Sequence, residues 1–104
     1  MRIWNNASDN DLLAYESISR VFFNYPHLLD NFFEKDNPKI RQSPEQMLKW
    51  AAGFSSGEIL LIKTALDIWS GSGNVYVWQL IELLDKDNFY FVLQALAILR
   101  RNKL

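Results

Sequence analysis

Apolar residues recur along this chain at intervals of three and four, and most of the runs are preceded by a residue able to cap a helix. Ser8-Asp9-Asn10-Asp11 combines a cap with an acidic first turn. Ala14, Ile18, Val21, Phe22 and Tyr25 follow at helical spacing, so a first helix is predicted to run to about Asn24. Pro26 opens a short second helix, where its missing N–H is harmless, with Leu28, Leu29, Phe32 and Phe33 on one side. Glu34 to Gln42 is a charged connection containing Pro38. Ser43-Pro44-Glu45-Gln46 is a third start, with Ser43 as N-cap, Pro44 at the first position and Gln46 closing a capping box. Met47, Leu48 and Ala51 supply its buried stripe, and Gly53 is expected to end it.

The fullest start signal is Phe54-Ser55-Ser56-Gly57-Glu58-Ile59, in which Ser55 and Glu58 can cap each other's backbone while Phe54 staples onto Ile59. From there to about Trp69 almost every face is apolar, which predicts a helix at the centre of its domain. Gly53-Phe54-Ser55-Ser56-Gly57 also matches the G-x-S-x-G outline of a hydrolase nucleophile elbow. That chemistry needs a strand before the serine and a histidine after it. The chain's one histidine, His27, lies upstream, so capping is the reading of Ser55. Residues 70–74 form a flexible Gly/Ser break. Val75 to Leu84 reads as a short extended link and then a short helix, and Asp85 to Asn88 as a turn with Asp87 as cap. A last helix is predicted from Asn88 to about Arg101, burying Phe89, Val92, Leu93, Leu96 and Leu99. The expected architecture is all-α: one domain over residues 1–104, a compact bundle of five or six short helices around the apolar helix at about 56–69.

Composition narrows the function. A chain of 104 residues with 49% hydrophobic and 14% aromatic residues can bury one core and still have apolar surface to spare. Eleven Lys and Arg against twelve Asp and Glu leave a net charge of −1, so no global field recruits nucleic acid or an anionic membrane. The lack of cysteine excludes disulfides and thiolate metal sites. With neither a signal-peptide core nor a membrane-length apolar run, a soluble cytoplasmic protein is expected.

Candidate chemistry is sparse. The 68–79 segment resembles an EF-hand loop in outline, with Gly73 and Val75 at the glycine and hydrophobic positions. Its ligand positions hold Ile68, Ser70, Ser72 and Gln79, none of them a carboxylate, so it reads as a helix-to-helix turn and no metal or cofactor is expected. His27 and Asp30 share the spacing of an oriented general base but have no nucleophile placed beside them, which leaves a small enzyme using His27 as the third reading. The acidic group Glu82, Asp85 and Asp87 reads as a solvated turn.

Two further readings concern the C-terminal half. Residues 58–104 resemble, in outline, the helical core of a winged-helix or helix-turn-helix DNA binder. That resemblance implies nucleic-acid contacts by Gln94, Arg100, Arg101 and Lys103 on the last helix. The favoured reading is instead a non-catalytic protein-interaction or regulatory module, binding a protein partner or a second copy of itself. The last helix carries a second apolar stripe of Phe91, Ala95 and Ile98, rotated away from the first, and Tyr76 and Trp78 lie in the link before it. Tyr76, Trp78, Phe91 and Ile98 are the expected partner-binding residues.

Overall fold

The helix predicted to be central is central. In the computed structural model, which describes residues 4–101, α4 (Ser56–Ser70) buries Leu60, Leu61, Ile62, Thr64, Ala65 and Leu66 and packs on three other helices. Its one buried hydroxyl, on Thr64, donates to the Leu60 carbonyl at 2.8 Å, so nothing polar is left unpaired in its middle. Around it stand α1 (Asp9–Val21), α2 (Pro26–Phe32), α3 (Pro44–Ala51), α5 (Val77–Leu83) and α6 (Lys86–Arg100). The described residues thus form a compact all-α bundle of six helices. They contain no strand beyond one isolated antiparallel bridge between Phe33 and Ile40.

The helix starts follow the caps. Ser8 and Asp11 form a complete capping box on α1, and Ser55 and Glu58 form another on α4, with the Ser55 hydroxyl also donating to Glu58 Oε1 at 2.9 Å. Ser43 Oγ accepts from the Gln46 N–H at 3.2 Å at the start of α3. Helix ends are where the sequence reading errs. Gly53 has no left-handed backbone, and α3 stops at Ala51 with Ala52 as C-cap. The left-handed cap is Gly71, at φ 69°, whose N–H closes α4 on the Asp67 carbonyl at 2.9 Å. On α6 the cap is Asp85, not Asp87: its carboxylate accepts from the Asn88 N–H at 2.8 Å, which starts the helix two residues early.

The N-terminal half builds an aromatic core on Phe33, which is fully buried. Its ring lies 4.9 to 5.3 Å from those of Phe32, Trp69, Tyr15 and Trp4, mostly edge-to-face. The charged connection after it folds back tightly. Arg41 donates to the carbonyls of Asp30 and Phe33, and Glu34 accepts from Asn37 at 3.0 Å and pairs with Lys39 at 3.3 Å. The Asn37 hydrogen bond, and after it Lys39 and Arg41, hold the Glu34 carboxyl below its ordinary pKa against a smaller upward push from desolvation.

The most extensive helix pairing is α1 with α6. It is a close approach between small residues: Ser17 and Ala95 are both fully buried, and Ser17 Oγ donates to the Ala95 carbonyl at 2.8 Å. At the start of α6, buried Asn88 donates to Asp85 at 3.2 Å and to the Tyr25 hydroxyl at 3.4 Å, and accepts from Asn24 at 3.4 Å.

Truncating the hub of the aromatic core, Phe33→Ala, is expected to lower stability by about 3 to 5 kcal/mol. Removing the Ser55 cap, Ser55→Ala, is expected to cost about 1 kcal/mol. Urea denaturation followed by circular dichroism measures both.

Candidate functional site

The Gly/Ser segment after α4 is a built turn rather than a loose one. Asp67, on the last turn of α4, turns its carboxylate onto three consecutive backbone amides. Oδ1 accepts from Gly73 at 2.7 Å and Asn74 at 3.1 Å, and Oδ2 accepts from Val75 at 2.9 Å. The amides can converge because Asn74 takes a left-handed conformation, φ 56°, which an Asn tolerates. Gly73 is pressed against the backbone of α4. A Cβ there would overlap the Lys63 carbonyl oxygen and crowd the Asp67 nitrogen at 3.0 Å. The hydroxyls of Ser70 and Ser72, two of the ligand positions in the EF-hand outline, bond each other at 2.8 Å.

This turn sets the position of α5, which is an unusual helix: none of its residues is buried. Leu80, with Leu84 just beyond the helix, rests on the core, while Tyr76, Val77, Trp78 and Ile81 are between 59% and 73% exposed. At 100° per residue Val77, Ile81, Trp78 and Glu82 make up one continuous sector. The outward side of α5 is therefore three apolar side chains and one carboxylate. Hollows lie on both sides of the helix. One, of about 330 Å³, is lined by Ile68, Val75, Leu80, Val92, Leu96 and Leu99 among others. The other, of about 190 Å³, is lined by Ile59, Leu60, Lys63, Gln79 and Leu83 among others. The helix starts at Val77, so the extended link expected over residues 74–77 is confined to Val75 and Tyr76.

The residues singled out from the sequence separate into groups. Tyr76 and Trp78 are on the surface of this element, at 63% and 59% exposure. Phe91 is half-buried and stacks on Phe23 at 4.6 Å, and Ile98 is buried at 9% exposure. The stripe of Phe91, Ala95 and Ile98 therefore turns inward, and α6 buries Asn88, Val92, Ala95 and Ile98. Leu93 and Leu96, expected in the core, are 43% and 42% exposed, and Tyr90 beside them 51%. The Ser17 hydroxyl bonds the Ala95 carbonyl, so the side of α6 that carries Ala95 is the one turned to α1.

On the proposed nucleic-acid face, Gln94 and Arg100 are exposed, and Arg101 is bound through one guanidinium nitrogen to both oxygens of Glu16, at 2.8 and 2.9 Å. Lys103 lies outside the described residues. His27 is exposed at the start of α2, its ring edge-on to Tyr25 at 6.2 Å. Ser55 follows a helix and a turn, with its hydroxyl engaged by Glu58. Among the described residues, no three His, Cys, Asp or Glu side chains gather as a metal site, and no helix is long and apolar enough to cross a membrane. Comparison with protein-family models, with curated proteins and with solved structures finds no match.

What sequence reasoning missed is Val77, Ile81, Leu93 and Leu96 as surface residues, and Asp67 as the anchor of α5. The one available signal for Asp67 was an acceptor at the end of an apolar helix, six residues before a glycine.

Asp67→Ala leaves three amides without their acceptor and is expected to cost about 2 kcal/mol, hydrogen bonds to a charged group being the strong ones. Gly73→Ala, which forces backbone apart, is expected to cost about 2 to 3 kcal/mol. Amide hydrogen exchange should show faster exchange at residues 73–83 in both variants, with α1 protected as in the parent chain.

Proposed function

We propose that this chain is a non-catalytic protein-interaction module that receives a helical segment of a partner protein on the outward side of α5. The observation that carries the reading is a helix held firmly in place while its apolar side faces solvent. At about 150 to 250 Å² for a whole aromatic side chain, Tyr76 and Trp78 alone expose on the order of 250 Å². With Val77 and Ile81 beside them, the patch reaches the several hundred Å² that marks a partner surface. Trp and Tyr are also the residues that most often anchor an interface, since they bury much area for little lost rotamer freedom.

The Asp67 turn supports the same reading. A surface that is ordered before its partner arrives loses less entropy on binding, and three amides held by one carboxylate help keep α5 ordered while none of its residues is fully buried. Glu82 is the one charged residue on α5 and stands one turn from Trp78. The partner that fits is an amphipathic helix with apolar anchors at i and i+3 or i+4 and a Lys or Arg placed over Glu82. A second copy pairing α5 with α5 would bring no cation of that helix to Glu82. We assign the module to the cytoplasm, because a chain without cysteine suits a reducing compartment.

The reading is tested by selection from a displayed library of short helical peptides against the full chain. Peptides with apolar anchors and a cation are expected to be enriched. Trp78→Ser or Ile81→Ser should weaken their binding about tenfold or more while shifting the melting temperature little, because neither residue is packed in the core. Recovery of no binder, or of binders indifferent to both substitutions, would overturn it.

A further inference from the structure

We infer that the hollow of about 190 Å³ between α4 and α5 is a binding site for a small carboxylic acid with an apolar chain. Ser56, Ile59, Leu60 and Lys63 of α4 line it together with Gln79 and Leu83 of α5. Ser56, Leu60 and Lys63 follow at steps of four and three, so they form one stripe along α4. Ile59, Leu60 and Leu83 supply the apolar surface, and Leu83, at 45% exposure, is the wall that a ligand would cover. At one end the two helices meet: a Cβ on Gly57 would stand 3.8 Å from the Leu83 carbonyl oxygen.

The polar groups decide what the hollow takes. No carboxylate lines it, and the half-buried Lys63 ammonium has no ion pair or hydrogen bond among the described residues. The nearby acids are not its partners. Asp67, one turn along α4, has both oxygens on the amides of Gly73, Asn74 and Val75, Glu58 is bound to Ser55, and Glu82 stands on the outward side of α5 without an ion pair. Gln79 spends its carbonyl oxygen on the Tyr76 N–H at 2.9 Å, which leaves its Nε2 as a donor. Ser56 adds a hydroxyl at the positive end of α4. An ammonium, an amide nitrogen and a hydroxyl beside an apolar wall are the complement of a carboxylate that carries a hydrocarbon chain. A cation partly withdrawn from water also gains more from such an anion than a fully solvated one does. The larger hollow on the other side of α5 offers no such handle, because Thr64 and Asp67 there are bonded within the chain. Size limits the ligand further: 190 Å³ lies below the roughly 300 to 1,000 Å³ of sites for drug-sized molecules, so the acid is short. The site does not involve Val77, Trp78 or Ile81 and stands independently of the partner surface.

The test is titration of the isotopically labelled full chain with hexanoate, followed by amide chemical shifts. Saturating shifts are expected around residues 56–63 and 79–83, with a dissociation constant on the order of 1 mM for so small a ligand. Butanoate, two methylenes shorter, should bind about four- to fifteen-fold more weakly. The alcohol 1-hexanol, with the chain but no charge, should bind about tenfold more weakly or worse. Lys63→Met should weaken hexanoate about tenfold and Lys63→Arg should retain most of the affinity, while Leu83→Ser should weaken it through the apolar wall. Melting temperatures of all three variants should stay close to the parent's, because neither position belongs to the core. Trp78→Ser should leave hexanoate binding unchanged, which separates this site from the partner surface. Hexanoate binding that survives Lys63→Met, 1-hexanol binding as tight as hexanoate, shifts confined to the other side of α5, or no saturable shift up to about 20 mM would each overturn the inference. Butanoate binding as tight as hexanoate would show an adventitious ion only and would overturn it as well.

Discussion

The packing of this molecule turns on the approach of two helices that are far apart in sequence. Ser17 of α1 and Ala95 of α6 are both fully buried, and the serine hydroxyl bonds the Ala95 carbonyl across the seam. A bulky side chain at either position would hold the helices apart, and the closeness fixes which way α6 is rotated. With Ala95 at the contact, one helical turn in either direction brings Val92 and Ile98 inward and Asn88 onto its polar partners. Tyr90, Leu93 and Leu96 are left outside as a geometric consequence, although each is larger than the Ala95 and Val92 that were buried. Packing density, not the hydrophobicity of single residues, decides the orientation.

A second constraint acts at the other end of α4. A short helix with no buried residue has little packing to hold it, and seven residues are too few for a helix to persist by propensity. Here the backbone on its N-terminal side is fixed by the Asp67 carboxylate and by the contact that Gly73 alone permits with α4. Electrostatics and sterics thus do at α5 what burial does elsewhere in the bundle. Side chains that would otherwise be drawn into a core are free to face outward.

Much of the architecture was legible in the sequence because local chemistry and tertiary structure agree there. Ser8, Ser43 and Ser55 start helices for reasons contained within four residues, and the run from Ile59 to Trp69 has so little polar surface that only a central position suits it. The surface was less legible. Whether Leu93 or Ala95 faces inward depends on Ser17, nearly eighty positions away, and no periodicity within α6 carries that information. The Gly/Ser break reads as flexible because composition reports what a backbone is able to do. The carboxylate that removes the freedom belongs to the preceding helix. Gly53 and Gly71 make the same point, since each follows an apolar helix and only the second adopts the left-handed cap.

The seam between α1 and α6 also bears on how the chain comes to be folded as it is made. The side of α1 that meets α6 is covered only when α6 lies on it, and the Ser17 hydroxyl finds its acceptor at Ala95. During synthesis from the N-terminus that partner emerges from the ribosome some seconds after α1, at about 5 to 20 residues per second. In that interval α1 can collapse only against the aromatic cluster of α2 and α4. The final docking must then close a loop spanning most of the chain, which places it late and makes it slow relative to the local helix pairs. The nascent chain therefore carries an open apolar flank on α1 until α6 has been translated.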